Sequence, residues 1–214
     1  MEELRYTLLS DGPSDKALMP ILTWLLRQHV PNLPIQSRWS ELRRLPTPPR
    51  ELHEKIQLSI DLYPCDLLFV HRDAETTSLE ERLGEINQAI SNAIVDRQMP
   101  AVVCVVPIRM MEAWLLFDIN AIRQAAGNPN GTVSLSLPTL SGIESLPDPK
   151  RVLRDILLTA TGLGTHRRRR FDTNIAVQRI PECIEDFSSL RILSAFIALE
   201  EKIKRTIESQ CWDD

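Results

Sequence analysis

The hydrophobic positions in the first 120 residues alternate between two spacings, one typical of buried strands and one typical of amphipathic helices. Apolar runs at residues 4–9, 35–39, 66–71 and 101–106 predict four strands. Between them, apolar residues at helical spacing predict helices that begin near Ser14, Arg50 and Ser78. Continuous apolar strands separated by helices are typical of a parallel sheet covered on both faces.

The predicted fold is therefore α/β, with a flavodoxin-like, mostly parallel four-stranded sheet over residues 1–118. In a flavodoxin-like order the first and third strands are neighbours. A further helix is predicted over residues 107–116. Beyond residue 118 the alternation stops, and residues 119–214 predict a helical extension packed on the sheet domain. Asp118 and Asp148 are the predicted caps of two of its helices, and its last 35 or so residues form an amphipathic tail.

Composition excludes several classes of protein. The chain has 214 residues, 43% of them hydrophobic, and a net charge of −4, which is ordinary for a globular protein. The four cysteines are scattered, which argues against a zinc site or a disulfide framework. No secretion signal, membrane-spanning run or glycine-rich phosphate loop occurs, so we expect a cytoplasmic protein with no membrane partner.

Carboxylates follow three of the predicted strands at the points where they end. Asp11 and Asp15 follow the first strand, Asp73 and Glu75 the third, and Glu112 the fourth. Parallel strands end at the same edge of a sheet, so these acids are expected to lie near one another. Oxygen ligands of this kind suit Mg²⁺ or Mn²⁺. The alternative is that the acids cap helices and line a solvated loop edge.

Arginines supply the candidate nucleic-acid contacts. Guanidinium groups bind phosphates through paired hydrogen bonds. One run forms the strongest basic cluster of the chain, and two more arginines stand beside the acids; the six residues are Arg72, Arg109, Arg167, Arg168, Arg169 and Arg170. A solvated basic face, or internal ion pairs with the acids, would explain the same residues without a ligand.

Short motifs resemble the TOPRIM domains of topoisomerases, primases and overcoming-lysogenization-defect nucleases. The turn from Asp11 to Asp15 resembles their Glu-Gly-x-x-Asp/Glu turn, and Asp73-Ala-Glu75 resembles their Asp-x-Asp motif. The segments 72–75, 107–116 and 147–150 are also similar to small bacterial TOPRIM-like proteins of an uncharacterised-domain type.

This resemblance implies a catalytic acid or base at Asp11 and metal binding by Asp73 and Glu75, with Asp15 and Glu112 as further ligands. Asp11 is one methylene shorter than the Glu of the family, and Glu75 stands where the family has its second Asp. The expected function is a Mg²⁺-dependent nuclease in phage defence or genome maintenance. Two alternatives stand beside it: a non-catalytic subunit whose amphipathic tail docks an ATPase partner, and a small-molecule phosphohydrolase.

Overall fold

A four-stranded, all-parallel sheet forms the centre of the protein, which we describe from a computed structural model over residues 2–94 and 98–212. The strands are β1 (Leu4–Leu9), β2 (Ile35–Ser40), β3 (Leu67–His71) and β4 (Ala101–Val105). Their order is β2-β1-β3-β4, so the predicted α/β class and the pairing of the first and third strands are confirmed.

Eight α-helices surround the sheet within the described ranges. They are α1 (Leu18–His29), α2 (Leu52–Leu62), α3 (Leu79–Asn92), α4 (Ile119–Ala125), α5 (Pro149–Ala160), α6 (Thr165–Arg168), α7 (Thr173–Arg179) and α8 (Ser194–Gln210). The described part of the chain contains no helix that is both long and apolar enough to cross a bilayer.

The two faces of the sheet bury different helices. Helices α2 and α3 cover one face through Ile56, Ile60 and Ile86, which pack with the β3 residues Leu68 and Val70. On the other face, α1 and the helices after residue 118 pack on the alternate strand residues in one larger cluster. Strand side chains alternate between faces, so β3 must be apolar along its whole length, and all five of its residues are buried.

Helix α8 fills the part of the sheet face that α1 leaves uncovered. The indole of Trp114 meets the ring of Phe196 edge to face at 5.3 Å between centroids. The apolar stripe of α8, which includes Phe196, Leu199, Ile203 and Ile207, is at most 4% exposed. The apolar stripe that would dock an ATPase partner under the alternative hypothesis therefore packs on this chain's own core.

Two local predictions differ from the structure. The first helix does not begin with Ser14 as its cap, because Gly12 occupies the N-cap of a 3-10 turn, Pro13–Ala17, that leads into α1. Residues 107–116 do not form a continuous helix. Arg109 has a left-handed backbone (φ 65°) and Met110 is extended, so only a short 3-10 turn, Met111–Leu115, follows.

The shared core predicts that the helical extension and the sheet unfold together. Phe196→Ala should remove about 3–5 kcal/mol of unfolding free energy, because it deletes a buried aromatic ring from the contact with Trp114. Chemical denaturation followed by circular dichroism should show one transition at a lower midpoint. The matched control is Ile197→Ala on the same helix, where the side chain is 41% exposed and the change should be small. Two separate transitions would contradict the shared core.

Candidate active site at the carboxyl edge of the sheet

A polar cavity of about 250 Å³ opens where β1 and β3 end side by side. The connections after these two strands leave in opposite directions, which makes this edge the topological switch point where α/β sheets bind ligands. Five segments contribute to the cavity: the turn after β1, the turn after β2, the end of β3 with its following loop, the first turn of α3 and the first turn of α5. Its lining includes Asp11, Asp15, His71, Asp73 and Lys150.

Asp73 is fixed by contacts to its Oδ1 atom. The Met111 backbone N–H donates to Oδ1 at 2.8 Å, and His71 Nε2 lies 3.6 Å from the same oxygen. The His71 Nδ1 atom lies 2.9 Å from the Val105 carbonyl oxygen. A carbonyl only accepts, so Nδ1 carries a proton and Nε2 is the nitrogen that faces Asp73. The other carboxylate oxygen, Oδ2, has no protein donor among the described residues.

The carboxyl of Asp73 is unusually easy to protonate. Burial raises its pKa to about 6, and the negative charges of Glu112 and Asp15 add to this effect against the opposing influence of His71. The pKa of Glu112 is also raised, chiefly by burial, although Lys150 opposes the shift. The charges of Asp15 and Glu112 therefore act on Asp73, and the charge of Asp15 also acts on Glu112.

Asp15 and Glu112 are buried, at 8% and 3% exposure. Asp15 accepts the Gly12 backbone N–H at 2.7 Å through Oδ2 and the Ser14 hydroxyl at 3.1 Å through Oδ1. Glu112 stands in the turn after β4, with Oε1 at 3.8 Å from Lys150 Nζ. Of the predicted acids, the structure thus brings Asp15, Asp73 and Glu112 together.

Asp11 has a different environment, because its carboxylate lies between two cations. Lys55 Nζ is 2.7 Å from Oδ1, and Arg72 Nε is 3.3 Å from Oδ2. Burial acts to raise the pKa of Asp11, but the Lys55 hydrogen bond and the charges of Lys55 and Arg72 outweigh it and hold the pKa below its usual value. Asp11 is therefore an ionised partner of cations, and its role as a catalytic acid or base stays a prediction.

Glu75 and Arg109 join two loops through their backbones. Both have left-handed backbone φ angles, 53° for Glu75 and 65° for Arg109, which residues other than glycine rarely adopt. The Glu75 N–H donates to the Arg109 carbonyl at 2.8 Å, and Arg109 Nη1 donates to the Glu75 carbonyl at 3.4 Å. Backbone strain of this kind collects at functional sites. The Glu75 side chain is exposed and contributes to the lining of the cavity.

Four cations at the site were not singled out as functional from the sequence. Arg43, Arg82 and Lys150 line the cavity, and Lys55 holds Asp11. Arg43 is in the short 3-10 turn Leu42–Arg44 after β2, Lys55 is in the first turn of α2, and Lys150 is in the first turn of α5. The cap signal at Asp148 and Pro149 predicts the start of α5, but no local pattern indicates what that helix end contacts.

The arginine run lies apart from the cavity. Lys150 is at the beginning of α5 and Arg167 to Arg170 come after its end, which is about 18 Å away for twelve residues at ~1.5 Å each. Arg167, Arg169 and Arg170 are exposed, and none has an ion-pair partner among the described residues. Arg168 Nε instead donates to the Leu163 carbonyl at 2.8 Å.

The acids suit a hard cation that a ligand helps to hold. Within residues 2–94 and 98–212, no group of three or more His, Cys, Asp or Glu side chains forms a metal-binding set by itself. Mg²⁺ does not require one, because it is commonly bound by one or two carboxylates, waters and substrate phosphate oxygens. Asp73 offers its free Oδ2 to such a site, and the charges of Asp15 and Glu112 favour a cation beside it.

The raised pKa of Asp73 predicts a specific pH dependence of stability. The pKa of the Asp73 carboxyl is about 6 in the folded protein, and 3.8 is the ordinary value expected in the unfolded chain. As the pH rises, the unfolded chain therefore loses this proton first. The free energy of unfolding should therefore fall as the pH rises from about 4 to about 6, by about 3 kcal/mol in total. Asp73→Asn removes the charge and keeps the acceptor for Met111. It should be more stable than wild type near pH 8, and the gain should shrink toward pH 4.

Thermal unfolding at several pH values measures this effect, with Asp66→Asn as the matched control. Asp66 accepts two hydrogen bonds from the Arg5 side chain, which lower its pKa together with the backbone bond from Arg5. Its contribution to stability should therefore be present at neutral pH and be lost as pH falls, the opposite trend. The same pH trend for both variants would contradict the buried-charge explanation of Asp73.

Comparisons with protein-family models, curated proteins and solved structures found no match to this chain. The resemblance to TOPRIM domains therefore stays an expectation drawn from short motifs.

Proposed function

We propose that the protein is a Mg²⁺-dependent hydrolase of nucleic-acid phosphodiesters, with its reaction centre at Asp73. One observation supports this most strongly: Asp73, Asp15 and Glu112 come from three segments, and the charges of Asp15 and Glu112 add to the burial that raises the pKa of Asp73 beside a cavity. Buried carboxylates that repel one another are stabilised by a bound cation. The cavity also lies at the topological switch point of the sheet, where ligands bind in α/β proteins.

The residues around Asp73 would prepare it for this role. The Met111 N–H and the His71 ring fix Oδ1, so that Oδ2 remains available toward the cavity. A bound Mg²⁺ would polarise the phosphodiester and lower the pKa of an attacking water. His71 Nε2 is the nearest nitrogen base to Asp73 and would take up or return a proton at that atom. Lys150, which is 61% exposed, would offset negative charge on the phosphate.

The metal set proposed from the structure differs from the one implied by the resemblance. Asp73 is common to both. Asp15 and Glu112 take the supporting positions, because their charges act on Asp73. Asp11 is engaged by Lys55 and Arg72, and the Glu75 side chain is exposed, so neither is included in the proposed set.

A polymer is the substrate that the surface favours. Lys150, Arg151 and Arg154 are exposed on α5, and the arginine run follows at the far end of this helix. The two groups of cations are separated by about 18 Å along α5, so a strand of several nucleotides could contact both. A small phosphorylated metabolite would not reach beyond the cavity.

Removing the Asp73 charge should separate activity from stability. Asp73→Asn should lower Mg²⁺-dependent cleavage of DNA or RNA by about a hundredfold or more, because the carboxylate proposed to hold the ion is gone. The same variant should unfold at a higher temperature than wild type near pH 8. Loss of activity in a more stable protein cannot be attributed to unfolding.

Cleavage of fluorescent single-stranded and double-stranded oligonucleotides, with and without Mg²⁺ or Mn²⁺, provides the measurement. Asp66→Asn, at the opposite edge of the sheet, has the same change of charge and should cleave as wild type does. Adding Mg²⁺ should raise the unfolding temperature of wild type and leave that of Asp73→Asn unchanged. Cleavage by Asp73→Asn at the wild-type rate would refute the proposal.

The arginine run should contribute to binding of the polymer and not to the chemical step. Replacing Arg167, Arg169 and Arg170 with alanine should weaken binding of a single-stranded oligonucleotide. The slope of log K against log salt concentration should fall by about 2, since each lost phosphate contact on a single strand accounts for ~0.7. Fluorescence anisotropy over a salt series measures both quantities.

The matched control replaces Lys202, Lys204 and Arg205 on α8, which removes the same amount of charge from another surface. It should leave the salt slope close to that of wild type. Equal losses in the two triple variants would mean that only overall charge matters, and the proposed binding surface would then be wrong.

A further inference from the structure

A second cavity of about 430 Å³ adjoins the acidic one at the same edge of the sheet. It lies between the end of β1, the turn Leu42–Arg44, the proline-rich loop at residues 45–49 and the first turns of α2. Its lining includes Leu9, Pro48, Pro49 and Lys55. Asp11 and Arg43 line both cavities, so they stand at the boundary between them. The reaction proposed at Asp73 makes no use of this second space.

The boundary between the cavities carries more positive than negative charge. Lys55 and Arg72 both contact Asp11, and Arg72 Nη1 is also 3.6 Å from Glu85 Oε2, which Arg82 contacts as well. Arg43 is exposed and has no ion-pair partner among the described residues. Three cationic side chains thus share two carboxylates, and Arg43 adds a fourth positive charge. The buried Arg82 Nε atom has no hydrogen-bond acceptor in the described part of the chain.

The Asp11 carboxylate occupies the position from which a phosphate oxygen would contact the same cations. Its two carboxylate oxygens each meet a different cation, Lys55 at 2.7 Å and Arg72 at 3.3 Å. The Asp11 side chain is 47% exposed, while those of Lys55 and Arg72 are 26% and 34% exposed. The anion is therefore the most accessible member of the group, and it is attached only through a turn next to Gly12. A ligand can therefore displace the Asp11 carboxylate without unfolding the segments that carry Lys55 and Arg72.

From this arrangement we infer that Lys55, Arg72 and Arg43 form a phosphate-binding site, for which Asp11 is the internal counter-ion when no ligand is present. The ligand class is a phosphate group with a non-bridging oxygen free to meet both Lys55 and Arg72. On binding, the phosphate replaces the Asp11 carboxylate between the two cations. This inference rests on the proposed function, because it supplies the position of a substrate phosphate beside the reaction centre at Asp73.

Direct titration of phosphate compounds, without a divalent metal, tests the site independently of cleavage. Asp11→Asn should bind inorganic pyrophosphate roughly tenfold more tightly than wild type, because one carboxylate no longer competes for two partly exposed cations. Lys55→Ala and Arg43→Ala should each bind it several-fold more weakly. Asp66→Asn is the matched control for lost negative charge and Lys204→Ala for lost positive charge, and both should bind as wild type does. Isothermal titration calorimetry gives the affinities.

A second titration, with a short single-stranded oligonucleotide that lacks terminal phosphates, distinguishes the two sources of the ligand. Tighter binding of both compounds by Asp11→Asn assigns the site to a backbone phosphodiester. Tighter binding of pyrophosphate alone assigns it to a terminal phosphate. If Asp11→Asn binds pyrophosphate no better than wild type, or if Asp66→Asn gains as much, the inference is overturned. The proposed reaction at Asp73 would survive that result, since it is judged by cleavage and by Mg²⁺-dependent stabilisation.

Discussion

The parallel pairing of β1 with β3 is the constraint on which the site depends. Leu9 lies opposite Val70 in the register of these strands, so the residues that follow each strand emerge next to one another. The turn that carries Asp11 and Asp15 is thereby placed beside the loop that carries Asp73, although about sixty residues separate them in sequence. The crossover through α2 makes this pairing possible, because the chain passes over β1 before it adds β3 to the sheet.

Charge is divided unevenly along this edge. On the side of the first cavity, burial raises the pKa of Asp73, and the negative charges of Asp15 and Glu112 add to this effect. Toward β2, the cations Lys55 and Arg72 exceed the carboxylates available to them. A bound cation on the first side and a bound anion on the second would each relieve an imbalance. A phosphate ester with a divalent metal supplies both charges in one ligand, which is why the two cavities are best understood together.

The sequence predicted the sheet well, because its signals are local and repeated. Apolar runs predicted all four strands to within about one residue. The helix predicted to begin near Ser78 does so, with Ser78 and Glu81 bonded to each other in a capping box. Which acids would converge was a different matter. The resemblance favoured Asp11, yet its carboxylate turns toward Lys55, a residue 44 positions away on α2. Side-chain direction at a strand tip depends on long-range partners of this kind, and periodicity carries no information about them.

The site also extends beyond the sheet domain that the sequence outlined. Lys150 reaches Glu112 from the beginning of α5, and the Gln178 side chain on α7 donates to the Pro13 carbonyl at 2.9 Å. The turn that presents Asp15 is thus held by a helix from residues 119–214. The extension shares one hydrophobic cluster with α1 and the strands. This shared packing is needed, because a loosely attached helical unit could not hold the turn that carries Asp15 in a fixed position. The helices after residue 118 are therefore part of the site as well as of the core.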